Sequence, residues 1–416
     1  MTRPSDQHRK AKDTRGSTDS QGLAESFLTA VTDRQDEHDE LLRKSVRSLL
    51  HRYGRSYFLS CYREGREPTE LWHELCDAGF VGTGIPEDLG GGGSSLGAVI
   101  TVAEELGVAG MPLLSYIMTE LCLPVIARHA LPGMAERFVA PIVSGERRLA
   151  FAITEADAGT NSFAMKTTAT RSGSTFVVSG RKRWISSAGD ADDLMLVCNA
   201  NQGAQPKGQR SALTILMVDL TTPGIGTEAL SADAGTPERQ YDVVFDEVRV
   251  PAENLIGPEG EGAGALFEAL NTERVLMAAF AYGLGFHCIG RAVDYANERA
   301  PFNAPIGSYQ SIQHPLAAQW AELSAARALN REAIRAIELS DTHAAGLANA
   351  AKWMSSEAAN RAADHAIQIH GGNGLTDEYD LVPLWRTTRL MRFAPINNEM
   401  VLNQIGQHVL GLTKSY

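Results

Sequence analysis

The sequence is poor in cysteine, with five in 416 residues (Cys61, Cys76, Cys122, Cys198 and Cys288). They are far apart, odd in number, and form neither a CxxC pair nor a Cys/His spacing suited to zinc. A disulfide scaffold is excluded, and a reduced, cytoplasmic chain is expected. Long apolar runs are also missing. The longest uncharged stretch, Val275 to Gly290, has 16 residues between Arg274 and Arg291, short of the roughly 18–20 that a membrane span needs. It predicts a buried helix and no membrane contact. The first 20 residues carry five basic and three acidic side chains without an apolar core, so no signal peptide is expected and residues 1–38 read as a disordered tail. Positive charge is in deficit: 38 Lys+Arg stand against 50 Asp+Glu, a net −12, which argues against nucleic acid as a partner. No repeat of 20–50 residues is present, and no GxGxxG after a strand, GxxxxGK[ST], HExxH or GxSxG occurs. The eleven histidines are scattered and none pairs at metal-ligand spacing, so no metal is expected. His314 and His370 read as structural or local contacts.

What is present is a chain with 44% apolar residues, enough for two to four domains at roughly 100–200 residues each. From Asp39 the apolar residues Leu41, Leu42, Val46, Leu49 and Leu50 recur at helical spacing, and helices dominate to about Ser144. Near Leu149 the period changes. Short β-rich runs follow at Thr175–Val178, Lys182–Ile185, Leu194–Cys198, Leu213–Val218 and Val243–Val250, separated by Gly, Ser, Pro and Asp clusters. Asn201 to Gln209 has no strongly apolar side chain and reads as an exposed loop. After Pro251 and the glycines at 257, 260, 262 and 264, helical periodicity returns. The expectation is an α+β multidomain fold: a helical domain at 39–148, a β barrel or sandwich at 149–262, and a helical bundle at 263–416. Trp72, Trp320, Trp353 and Trp385 read as core.

The richest segment for chemistry opens the β region: Phe151-Ala152-Ile153-Thr154-Glu155-Ala156-Asp157-Ala158-Gly159-Thr160-Asn161, followed some twenty residues later by Arg183-Trp184-Ile185-Ser186. A Thr hydroxyl, a turn of small residues exposing backbone N–H groups and a strand bearing Trp could hold a flat heteroaromatic ring and a pyrophosphate. Together these pieces resemble the flavin-binding strands of the acyl-CoA dehydrogenase family, (F/L)xxTEPxAGSD followed by WI(T/S). The resemblance continues to Leu410 through Val244-Phe245-Asp246-Glu247-Val248-Arg249-Val250-Pro251, Asn254-Leu255-Ile256-Gly257, Arg299-Ala300-Pro301-Phe302, Gln310 and Gln368-Ile369-His370-Gly371-Gly372-Asn373-Gly374. It implies a helical, a β and a four-helix-bundle domain, assembly into a homodimer or homotetramer, and FAD as cofactor.

By position, the resemblance implies that Phe151, Ile153, Thr154, Gly159, Thr160, Trp184, Ile185, Ser186, Asn397 and Glu399 contact the flavin or its phosphates. Arg299 and Gln310 would reach the FAD of a neighbouring subunit, Gly371 and Gly372 would let the backbone approach the adenosine half, and Phe302 and Gln368 would also bind the cofactor. An arginine fork suits a pyrophosphate, and glycines allow close backbone approach. Thr160, Asn271 and Arg274 would contact substrate. The implied reaction is removal of the α-proton of an acyl thioester with hydride transfer from the β-carbon to flavin, followed by reoxidation by an electron-transferring flavoprotein.

That chemistry needs a carboxylate base and an oxyanion site. Where the common family pattern has its catalytic Glu, this chain has Pro395, which can neither accept the proton nor offer an N–H. Ile396 N–H is the nearest substitute donor. A minority pattern, LxxERxxxAA, matches Leu270-Asn271-Thr272-Glu273-Arg274-Val275-Leu276-Met277-Ala278-Ala279 and makes Glu273 the expected base, at the start of a helix and on the rim of an apolar channel. The bland reading of Glu273 is a helix-start carboxylate favoured by the macrodipole. Glu399 is the rival carboxylate, four residues past Pro395. Other functions on the same fold are dehydrogenation of a carrier-protein-bound acyl or aminoacyl thioester, flavin monooxygenase or oxidase chemistry, and a catalytically silent scaffold. Flavin occupancy and reduction by acyl-CoA discriminate among them.

Overall fold

In the computed structural model the described residues are 22–27, 37–200 and 212–414; the expected loop at 201–209 and most of the expected tail lie outside them. The tail expectation fails at 22–27, which is helical and buries Ala24, with Phe27 packed on the core. Three apolar residues in that run (Leu23, Ala24, Phe27) outweigh the polar composition around them.

Besides the helical run 22–27, five helices among the described residues build the N-terminal layer: α1 (Glu37–Glu64), α2 (Thr69–Asp77), α3 (Leu96–Val108), α4 (Leu114–His129) and α5 (Pro132–Val143). α1 is interrupted at Gly54, whose φ of 70° breaks the helical path. Ser95 caps α3 by accepting from Ala98 N–H, satisfying one donor of its first turn. α4 buries nearly every side chain because it runs between two cores, one shared with the C-terminal helices and one with the sheet.

The central domain is a mixed sheet of eight strands: β1 (Leu149–Ala152), β2 (Thr168–Ser172), β3 (Thr175–Ser186), β4 (Asp193–Ala200), β5 (Leu213–Asp219), β6 (Ile225–Ala229), β7 (Gln240–Pro251) and β8 (Leu255–Ile256). Their order is β6-β7-β3-β2-β4-β5-β8. β4 takes two parallel partners on one edge, β1 along its first half and β2 at its end. The two runs expected at 175–178 and 182–185 are one strand, β3. Gly180 between them is not a turn but a bulge, with φ 150° and no room for a Cβ beside Thr167. β2 and β6 escape sequence reading because their burial patterns, with one buried residue at most, leave no apolar alternation to detect.

After β8 the chain forms α6 (Ala263–Glu298), α7 (Gln310–Glu338), α8 (Ala344–His370), α9 (Leu381–Leu390) and α10 (Asn398–Gln404). The uncharged run 275–290 is the interior of α6 and is buried throughout. α6 is long and apolar enough to cross a membrane by composition, but its apolar window is almost wholly buried within the fold. It reads as a core helix. α3 and α6 cross backbone to backbone at Gly107 and Gly283. A Cβ on Gly107 would lie 2.8 Å from Phe280 O, and one on Gly283 would lie 2.7 Å from Glu104 O.

Beside that crossing is a buried ionic cluster joining the first and last layers. Glu104 on α3 accepts from Arg43 Nη1 of α1 at 2.7 Å, Arg327 Nη2 of α7 at 2.8 Å and Tyr282 OH of α6 at 2.7 Å. Glu105 pairs with Arg43 and with Arg47 Nε at 2.6 Å.

Candidate active site

β1 delivers Phe151, buried, and then Ile153 and Thr154, half-buried, to the edge of the sheet. Arg183 N–H donates to Thr154 O at 2.8 Å, drawing the β1 exit against β3 where its pairing with β7 slips between Lys182 and Ile185. At that slip Trp184 takes φ 63° and is 51% exposed. A bulge re-aims a side chain, and a bulky residue held in the left-handed region marks a site where the surroundings impose the conformation. Ile185 is buried behind it, and Ser186 exchanges hydrogen bonds with the Gln240 side chain at 2.9 and 3.3 Å.

The turn after Thr154 is pinned by Glu155 and Lys182, which sequence reasoning missed. Glu155 accepts from Lys166 N–H at 2.6 Å, Thr167 N–H at 2.9 Å and Lys182 Nζ at 3.0 Å, while Lys182 also donates to Ile153 O at 2.8 Å. Burial would raise the Glu155 carboxyl, but these hydrogen bonds and the lysine charge outweigh it and hold the carboxyl below its ordinary range. Gly159 and Thr160 are therefore presented on an exposed but anchored turn. Lys182→Met is expected to loosen this turn, read as faster amide hydrogen exchange over residues 156–161.

Glu273 lies well inside α6, whose first residue is Ala263. It does not start a helix as expected, so the macrodipole account does not apply. Its side chain belongs to a residue only 3% exposed. Burial pushes its carboxyl up to about 7, with the positive charges of Arg274 and Lys352 opposing. Arg274 Nη1 donates to Asn271 Oδ1 at 2.7 Å, one helical turn back, while its buried Nε has no protein partner. Cys122 on α4 faces the same region: burial pushes its thiol up and the Glu273 charge adds to the effect. Around them Met118, Leu266, Ala269 and Leu270 form an apolar wall, and the Phe163 and Phe267 rings lie 6.0 Å apart between the β1 turn and α6.

The turn between α9 and α10 closes the site. Pro395 is exposed in it, and Ile396 and Asn397 are half-buried. Asn397 caps α10 by accepting from Met400 N–H at 2.8 Å and donates through Nδ2 to Thr160 Oγ1 at 3.0 Å, joining this turn to the β1 turn. Glu399 is exposed in the first turn of α10. Lys352 on α8, a second residue missed from sequence, reaches the turn from inside, donating to Ile396 O at 2.6 Å and Asn398 Oδ1 at 2.7 Å.

The remaining expected cofactor residues do not join this group. Arg299, Phe302 and Gln310 are exposed where α6 gives way to α7, about 40 Å along α6 from Glu273 by helical rise. Phe302 is 78% exposed and Arg299 forms no ion pair among the described residues. Gln368, Gly371 and Gly372 are exposed at the C-terminal end of α8, with open space where either glycine's Cβ would stand. His370 is buried there, stacked on Tyr295 at 4.1 Å.

Three family models match in chain order: "Acyl-CoA dehydrogenase, N-terminal domain" over residues 36–146, "middle domain" over 150–248 and "C-terminal domain" over 260–410. The chain is 38% identical over 391 residues to acyl-CoA dehydrogenase FadE12 of Mycobacterium tuberculosis, covering 94% of this chain and all of that one. Its fold is similar to the crystal structure of an acyl-CoA dehydrogenase from Geobacillus kaustophilus, with TM-score 0.86, 25% identity and coverage of 91% and 100% of the two chains. It is also similar to a glutaryl-coenzyme A dehydrogenase solved with glutaryl-CoA, with TM-score 0.85, 28% identity and coverage of 92% and 98%.

Proposed function

We propose, since this chain belongs to the acyl-CoA dehydrogenase family, that Glu273 is the base with which it carries out its α,β-dehydrogenation of an acyl thioester. The observation that carries this reading is a buried carboxylate in an apolar wall, pushed up towards neutrality, beside a turn whose proline cannot serve.

FAD is the proposed cofactor, and the surface beside Glu273 fits a flavin: an outward indole at Trp184, the Thr154 and Ser186 hydroxyls, and the anchored turn at Gly159 and Thr160. When bound, the flavin accepts the hydride leaving the β-carbon. The protein's own part is binding and proton transfer. Arg274, tied to Asn271 yet keeping Nε free, supplies a charged donor for the substrate. Glu273 takes the α-proton and becomes neutral, so the low-polarity wall that penalises its charge favours the transfer.

Substrate presented as a CoA thioester is the form this reading adopts, with an electron-transferring flavoprotein as the acceptor that reoxidises the flavin. A second copy of the chain completes the cofactor site. The separation of Arg299, Phe302 and Gln310 from Glu273, and their exposure, support a homodimer or homotetramer in which these residues reach a neighbour's flavin.

The reading is tested by anaerobic titration with saturated acyl-CoAs and carrier-bound acyl groups side by side. Bleaching of the flavin by the CoA series supports it, and a flavin that no acyl thioester reduces overturns it. Because the base must be ionised to act, the rate of flavin reduction is expected to be low in acid and to rise through about pH 7, the range to which burial brings Glu273. Stopped-flow rates from pH 5.5 to 9 check this, and a rate flat across that range contradicts it.

A further inference from the structure

The turn carrying Pro395 is closed by Asn398 N–H donating to Arg392 O at 3.0 Å and joined to the β1 turn through Asn397, and its inner side is held from α8. Lys352 is wholly buried, at 0% exposure, yet the two acceptors it meets, Ile396 O and Asn398 Oδ1, are both neutral. Asn398 in turn donates to Ser356 Oγ at 3.1 Å and Glu357 Oε1 at 2.8 Å, and Arg392 Nε donates to the same Glu357 oxygen at 2.8 Å. Lys352, Ser356 and Glu357 of α8 thus hold the turn at both ends, through Arg392 on one side and Asn398 on the other. A neutral donor could make the same two hydrogen bonds without the cost of burying a cation. A lysine instead brings a group that can carry positive charge there, and the charge that most favours its protonated form is that of Glu273 on α6.

We propose that Lys352 is a positioning residue for proton abstraction, pinning the 394–398 turn to α8 and setting a positive charge behind Glu273. This rests on Glu273 being the base. The charged and titratable groups facing the pair are Arg274 on α6, Glu357 on α8, Glu399 on α10 and Cys122 on α4. Burial pulls Lys352 down to about 7 while the Glu273 charge resists. Each therefore favours the charged form of the other.

The test is anaerobic flavin reduction by the best acyl-CoA, measured from pH 5.5 to 9 in wild type, Lys352→Met, Asn398→Ala and Glu273→Gln. Lys352→Met conserves length and apolar bulk. It is expected to retain flavin, to change KM less than about threefold, and to lower the limiting rate about tenfold; the midpoint of its pH profile moves up by about one unit because the charge favouring the carboxylate is gone. Asn398→Ala loosens the turn but leaves the charge, so the rate falls with the midpoint unmoved. A Lys352→Met protein with wild-type rate and midpoint overturns the proposal. If that variant does not fold, Asn398→Ala decides: a reduced rate at an unchanged midpoint supports the pin, and a wild-type rate removes it. Glu273→Gln separates the two readings. Loss of reduction there together with a wild-type Lys352→Met rejects the positioning role alone, whereas turnover in Glu273→Gln rejects the base itself.

Discussion

Glu273→Gln is expected to retain the flavin spectrum and the thermal midpoint of wild type while its rate of reduction by acyl-CoA falls roughly 10³-fold, within the range general bases contribute. The amide keeps the shape of the carboxylate but cannot accept a proton. Among the described residues Glu273 has no hydrogen-bonded partner that the swap would orphan, and the desolvation cost removed with its charge offsets the lost attraction to Arg274 and Lys352. The substitution therefore separates chemistry from stability, and single-turnover kinetics read it directly. A variant that reduces flavin within tenfold of wild type returns the search for the base to Glu399, exposed in the first turn of α10.

Glu104→Ala is expected to have the largest effect on stability, a loss of about 3–5 kcal/mol, because it removes the carboxylate paired with both Arg327 and Arg43, two buried guanidinium groups. Urea titration of variant and wild type side by side measures it. Burial alone would raise the Glu104 carboxyl, but Arg327 and Arg43 overcome this and hold it far below its ordinary range. The sign for pH follows. A carboxyl depressed in the fold contributes stability that is fully present above the ordinary carboxylate range and is lost as pH falls through and below it. The wild type should thus lose apparent stability steeply in acid, and Glu104→Ala should lose less over the same interval.

The α, β, α order was legible because it leaves a local trace, a change of period at Leu149, whereas the turn after Thr154 and the candidacy of Glu273 rested on their likeness to family patterns. Pro395 was informative for the opposite reason, since its chemistry forbids a role. The placement of Glu273 was read less well. Composition located the uncharged run, but the helix begins ten residues earlier, in a segment whose glycines at 260, 262 and 264 read as loop. Lys352 was out of reach altogether. It stands in an alanine-rich helix where a lysine ordinarily marks the solvent side, and its acceptors lie 44 and 46 residues on. Glu155 was read past for a related reason: its partners Thr167 and Lys182 meet it only once β2 and β3 have folded back. Long-range pairing of this kind leaves no spacing to count.

The glycine seam between α3 and α6 leaves neither helix tolerance for a side chain at the crossing. A Cβ at Gly107 or Gly283 would press on main-chain atoms of the facing helix, which cannot swing aside as the end of a flexible side chain can. Alanine at either position must therefore push the two layers apart rather than repack within one of them.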